Sequence, residues 1–171
     1  GNLELTKTAT LIHFKSGHIS GSFNIKTGKM QSYQINDASL ITSFPEPYFW
    51  RAPTDNDFGN QMPQRLGFWR NAHQLLHLDT VKVHEQTKDG LLIECEYRMS
   101  GVDIPYTVFY QLLMNGAVKV TASINLQNKK LPEMPRFGMR LTVPKSYEQI
   151  DFYGRGPWEN YSDRNTASFV G

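Results

Sequence analysis

A chain of 171 residues with 39% hydrophobic content has enough apolar side chain for one domain with a real core, or for part of a larger one. A formal charge of +2, with no Lys/Arg run longer than Lys129-Lys130, excludes the electrostatic footprint of a nucleic-acid or anionic-membrane partner. No apolar run reaches the roughly 20 residues of a bilayer-spanning helix, and Gly1-Asn2-Leu3-Glu4 has neither the basic nor the apolar region of a leader. The leading Gly1 in place of Met suggests a segment excised from a longer protein.

Short alternating segments separated by turns dominate the chain. Thr10 to Phe14, then Ser16-Gly17-His18, Ile19 to Ile25, Lys26-Thr27-Gly28-Lys29 and Met30 to Ile35 predict a β-meander. A helix is expected from about Gln61 or Pro63 to Leu78, carrying Leu66, Trp69, Arg70, His73, Leu75 and Leu76. Strands follow over Thr80 to Gln86, Leu91 to Met99, Tyr106 to Met114 and Ala117 to Leu126. Their turns are Lys88-Asp89-Gly90, the Gly101 break and Asn115-Gly116, the last read as type I′ with positive φ at both central residues. Strands at this spacing imply a sandwich or barrel forming one structural unit. The lone Cys95, inside Leu91 to Tyr97, reads as a small packed strand residue without a disulfide partner.

Three constellations carry chemical interest. In the first, Tyr48 to Asn60, an aromatic knot, a cation, a rigid turn and short polar side chains are crowded together. Asp55, Asn56, Asp57 and Gly59 resemble half of a calcium loop, but the alternating ligands and distal Glu of an EF-hand are missing, so no metal is expected. Pro53-Thr54-Asp55-Asn56 is more simply a turn whose Asx side chains satisfy local backbone donors while Arg51 pairs with a carboxylate. The competing reading is a substrate-proximal loop built from Arg51, Asp55, Asn56, Asp57, Gly59 and Asn60.

In the second constellation, His73 and His77 would share one helical face at a spacing used by zinc sites. His84 is an unconvincing third ligand, and a packed or solvated pair is the expected outcome. The third runs from Asp151 to Arg164. There Gly154, Gly156 and Pro157 force a loop, Trp158 and Tyr161 offer flat faces for a sugar, and Glu159, Asn160, Asp163 and Arg164 offer hydroxyl partners. The alternative is a domain-contact loop in which Glu159 or Asp163 pairs with Arg155 or Arg164. Glycoside hydrolysis needs two carboxyl groups in unequal environments, and nothing in the sequence distinguishes an acid from a nucleophile among Asp55, Asp57, Glu159 and Asp163.

Phe49 to Asp57, Leu131 to Leu141 and Tyr153 to Arg164 resemble, in order, three signatures of the C-terminal supersandwich domain of glycoside hydrolase family 2 β-galactosidases. The similarity extends over nearly the whole chain from about Leu11. It implies an all-β, antiparallel, galactose mutarotase-like supersandwich with one short helix. Residues 1–171 would be the N-terminal portion of that domain. The family's catalytic glutamates lie in a TIM barrel that no segment here resembles, and the Mg2+ and Na+ often used by the family belong to that barrel. The implied role is to support the barrel and shape its active-site rim around a terminal β-D-galactosyl residue. A mobile loop at the rim maps onto Gly59, the expected hinge.

The family domain continues beyond the third signature and includes a sugar-contacting tryptophan for which Trp158 is no substitute. Strands left without neighbours would favour self-association. The expected partners are therefore the remaining domains of the parent, a galactoside substrate and a second copy, with the parent cytoplasmic or periplasmic. Two other readings remain at this point: an autonomous non-catalytic carbohydrate-binding module and a purely structural assembly domain. A mutarotase would need a histidine acting with a carboxylate, and neither His13 nor His18 has a motif-level match.

Overall fold

Alternation between core-facing and solvent-facing side chains organises two antiparallel sheets. The computed structural model describes residues 2–126, 129–149, 151, 153–156 and 169–170. The first sheet is a five-stranded meander of β1 (Glu4–Lys7), β2 (Leu11–Ser16), β3 (Ile19–Asn24), β4 (Lys29–Ile35) and β5 (Ala38–Ser39), each paired with the next. Strand β6 (Ser43–Tyr48) then leaves it, and a helical crossing leads to the second sheet. That sheet holds β7 (Leu76–Val83), β8 (Leu91–Met99), β9 (Ile104–Leu112) and β10 (Val118–Ile124), in the order β10-β9-β8-β7. Strand β11 (Gly138–Thr142) returns to pair with β6, and β12 (Arg155–Gly156) pairs with β13 (Phe169–Val170).

Period-two patterning in β8 and β9 buries Leu91, Ile93, Cys95 and Met99 with Ile104, Tyr106, Val108, Tyr110 and Leu112. Each such aliphatic or aromatic side chain contributes about 1.5–3 kcal/mol by leaving water. The first sheet answers with Ile12, Phe14, Phe23 and Met30. Phe23 and Tyr110 meet across the interface with ring centroids 5.0 Å apart. Polar groups at the margins are also paired between sheets, with Ser16 Oγ donating to the Met114 carbonyl at 2.8 Å and Tyr97 OH to the Gly28 carbonyl at 3.2 Å. The opposite face of β8 is charged, with Glu96 accepting from Lys82 Nζ at 2.6 Å. The architecture is an all-β sandwich, as the alternation predicts.

Two local expectations need correction. The single helix ending at Leu78 is instead α1 (Asp55–Gly59), α2 (Met62–Arg65) and two 3₁₀ turns, Gly67–Arg70 and Ala72–Leu75. Leu76 to Leu78 already belong to β7. The residues this stretch buries are Met62, Leu66, Trp69 and Ala72. Their spacing becomes three after Leu66, the period of a 3₁₀ turn rather than of an α-helix. Trp69 N–H accordingly bonds Leu66 O at 3.0 Å and Gln74 N–H bonds Asn71 O at 2.9 Å.

The hairpin at Asn115-Gly116 is not type I′, because only Gly116 has a positive φ, +86°. Gly116 N–H bonds Leu113 O at 2.9 Å and Leu113 N–H bonds Ala117 O at 2.8 Å, the pattern of a three-residue loop with glycine in the left-handed position. The type I′ geometry occurs between β4 and β5, where Asn36 and Asp37 have φ of 50° and 64°.

Candidate functional site

The first constellation unfolds outward from the core. Phe49 and Trp50 follow β6 and are buried. Phe49 meets Trp69 at 5.7 Å and Tyr106 at 5.9 Å, both edge-on, and Phe137 stacks on it at 6.3 Å. Arg70 places its guanidinium 4.9 Å from the Trp50 ring centre, a cation–π contact. This anchored knot fixes the point from which Arg51 and the following turn emerge.

Thr54 then caps α1. Its hydroxyl accepts from Asp57 N–H at 3.4 Å, while Asp57 Oδ2 accepts from Thr54 N–H at 2.8 Å and from Thr54 Oγ1 at 2.9 Å. This is a capping box with aspartate at the third helical position. Arg51 forks onto the same carboxylate, Nη2 donating to Oδ1 at 2.9 Å and Nη1 to Oδ2. The hydrogen bonds from Arg51 and then from the Thr54 amide hold the Asp57 carboxyl well below the usual carboxylate range. A glycosidase proton donor needs the opposite shift.

The structure therefore divides the predicted rim set. Arg51 and Asp57 turn toward each other, Asp57 in a buried position, whereas Asp55, Asn56, Gly59 and Asn60 are exposed. Phe58 presents a ring that is 62% exposed. Gly59 has helical rather than left-handed backbone, and a Cβ placed there would meet nothing within 4 Å. The left-handed residue is Gln61, with φ 58° and ψ 31°, where α1 turns into α2. Among the described residues no group of three or more His, Cys, Asp or Glu side chains is placed to hold a metal ion.

The second signature packs against the first. Pro132 O accepts from Trp69 Nε1 at 2.8 Å, Glu133 pairs with Arg65 at 3.0 Å, and Phe137 lies on Phe49. Arg140 bonds Glu46 at 2.5 Å and sits 4.5 Å from the Tyr48 ring centre. The second signature thus meets the first through Phe137 on Phe49, and its remaining contacts hold it to the helical crossing and to β6. In the third, Arg155 lies in β12, Tyr153 is 86% exposed, and Trp158, Glu159, Asn160, Tyr161, Asp163 and Arg164 lie outside the described residues.

The histidine pair is not a site. His73 lies in the second 3₁₀ turn beside Tyr48, with ring centroids 5.6 Å apart, while His77 is in β7 opposite Arg98. His73 also borders a cavity of about 260 Å³ between the sheets, lined by Phe44, Glu46, Tyr97, Val108 and Tyr110 among others. Its Nδ1 is buried with no hydrogen-bond partner among the described residues, and burial followed by the nearby Arg140 charge pushes its pKa down. Sequence reasoning missed this cluster, because β6 and β11 converge from distant parts of the chain. It also missed the capping box, although Thr54-x-x-Asp57 carries its spacing.

Comparison with known proteins agrees with the three signatures. The beta galactosidase small chain family matches residues 15–171. A β-galactosidase of Priestia megaterium is 34% identical over 165 residues, covering 96% of this chain and 15% of that protein. A β-galactosidase of Staphylococcus xylosus is 29% identical over 150 residues, again spanning 15% of its length. The β-galactosidase small subunit of Latilactobacillus sakei is 30% identical over 169 residues, 87% of this chain and 52% of that subunit.

Proposed function

The chain belongs to the beta galactosidase small chain family, and on that basis we propose that it serves as a non-catalytic domain of a family 2 β-galactosidase acting on terminal, non-reducing β-D-galactosyl residues. It spans about 15% of the length of the β-galactosidases from Priestia megaterium and Staphylococcus xylosus. Such a share is that of one domain beside others, and the reading assigns the catalytic glutamates, with any Mg2+ and Na+, to a separate barrel. The observation that carries the rim role is the short helix α1. It is fixed from behind by Arg51 and Asp57 and presents Asp55, Asn56, Phe58 and Asn60 to the outside. A partner domain and a galactoside would meet that face, and edge strands would favour association with a second copy.

The test compares hydrolysis of o-nitrophenyl β-D-galactoside by the chain alone and by the intact protein that carries it. Turnover is expected only from the intact protein. Hydrolysis by the chain alone would overturn the non-catalytic assignment. A second reading, an autonomous carbohydrate-binding module, draws on the exposed Tyr153 ring. Galactose or lactose titrated to tens of millimolar would give saturable NMR shifts if the chain binds sugar with a dissociation constant near 1 mM, or about 4 kcal/mol. Light scattering across concentrations tests self-association, with a clean monomer contradicting it.

A further inference from the structure

We infer that Asp57, held by Arg51, is a positioning residue that sets the exposed rim residues Asn56, Phe58 and Asn60, and that it makes no contact with sugar itself. The inference rests on the rim role proposed above and deepens it. A helix as short as Asp55–Gly59 cannot persist by its own propensity, because isolated helices below about 12–15 residues are marginal in water. Its geometry must be imposed. The described contacts that impose it converge on one carboxylate, whose Oδ2 accepts from Thr54 N–H, Thr54 Oγ1 and Arg51 Nη1, and whose Oδ1 accepts from Arg51 Nη2. Oδ2 is thereby saturated, and with Asp57 only 7% exposed, Oδ1 beneath the Arg51 fork has little surface to offer a hydroxyl of a galactoside. Arg51 faces inward onto this carboxylate and also donates to its neighbour's carbonyl, Ala52 O, at 3.3 Å. The amides that depend on the clamp are those of Asp57 and Phe58, the latter bonded to Thr54 O at 3.1 Å, and of Asn60, bonded to Asn56 O at 3.1 Å.

The discriminating variants are Asp57→Glu and Asp57→Ala. Glutamate is the usual capping-box partner and still reaches Arg51, whereas alanine removes both functions. In the 171-residue chain, Asp57→Ala is expected to speed exchange of the Phe58 and Asn60 amides by about tenfold or more, with Asp57→Glu within about threefold of the parent. Unchanged exchange in Asp57→Ala would overturn the inference. In the intact protein, kcat/KM for the nitrophenyl galactoside should fall about tenfold or more in Asp57→Ala and recover in Asp57→Glu. A carboxylate bound directly to sugar would not tolerate the added methylene. Asp57→Glu as defective as Asp57→Ala, with its amides still protected, would therefore make Asp57 a sugar ligand and overturn the positioning role. Absence of galactoside hydrolysis by the unaltered intact protein would reject the proposed function instead, while the exchange comparison on the chain still decides the clamp.

Discussion

Trp69 Nε1 donates a hydrogen bond to the carbonyl oxygen of Pro132 at 2.8 Å, tying the helical crossing between the sheets to the segment that precedes β11. Trp69 is fully buried and its ring also contacts Phe49 and Phe68, so one indole holds three stretches of chain together. A buried donor of this kind requires a partner, because an unpaired one costs about 1–3 kcal/mol.

Trp69→Phe keeps most of the ring but deletes the N–H. It is expected to destabilise the fold by about 1–3 kcal/mol, and Trp69→Ala by about 3–5 kcal/mol through the added cavity. Urea midpoints at constant m-value read both. Equal losses in the two variants would show that the hydrogen bond, not the packed ring, dominates.

Gly59 and Gly90 should respond oppositely to alanine. Gly90 has φ +119°, and a Cβ there would lie 1.9 Å from Leu112 O, so Gly90→Ala must displace the backbone of β9. Gly59→Ala enters open space on helical backbone and should be neutral or stabilise by up to about 1 kcal/mol. Thermal denaturation of both variants checks this contrast. A destabilised Gly59→Ala would restore the idea that this glycine needs unusual backbone freedom.

Cys95 is fully buried, and desolvation pushes its thiol pKa up to about 12. Because the thiolate is the reacting species, labelling by a thiol reagent at neutral pH should be slow in the native protein. Its rate should rise with urea in step with global unfolding. Fast labelling of native protein would show that the sandwich opens locally around β8.

Two groups should shape the acid limb of stability. Asp57 has a folded pKa below its unfolded value near 3.9, so its contribution is present above about pH 4 and is lost as pH falls further. His73 is also depressed in the folded state, by burial first, so the unfolded chain takes up its proton earlier and stability declines as pH drops below about 6.5. Melting temperatures from pH 8 to 5 should therefore vary less in His73→Asn, and those from pH 5 to 2 less in Asp57→Asn. A parallel profile for either variant would remove that group as a contributor.

The period-two pattern of β8 and β9 made their inner faces readable, since Leu91 to Met99 and Ile104 to Leu112 alternate between core and outer face. Leu66, Trp69, Arg70 and His73 misled because their spacings of three and four suit an α-helix, whereas the chain forms successive 3₁₀ turns there. At the rim, the pairing of Arg51 with a carboxylate was legible, but Asp55 and Asp57 are equivalent to a charge argument. Only the three-residue spacing from Thr54 singles out Asp57. Glu46, His73 and Arg140 could not be grouped beforehand, because their meeting depends on the β6–β11 pairing rather than on local spacing.

That pairing also bears on how the chain acquires its structure. Within both larger sheets every pair joins strands consecutive in sequence, so each meander closes only short loops. Strands β6 and β11 must instead bring Ser43 to Thr142, a separation of 99 residues, and should assemble late and slowly. During synthesis the first meander would be complete before the second had emerged, leaving the β6 ribbon to wait for its distant mate. The joint that supports the rim is thus the step at which folding is most exposed to wrong partners.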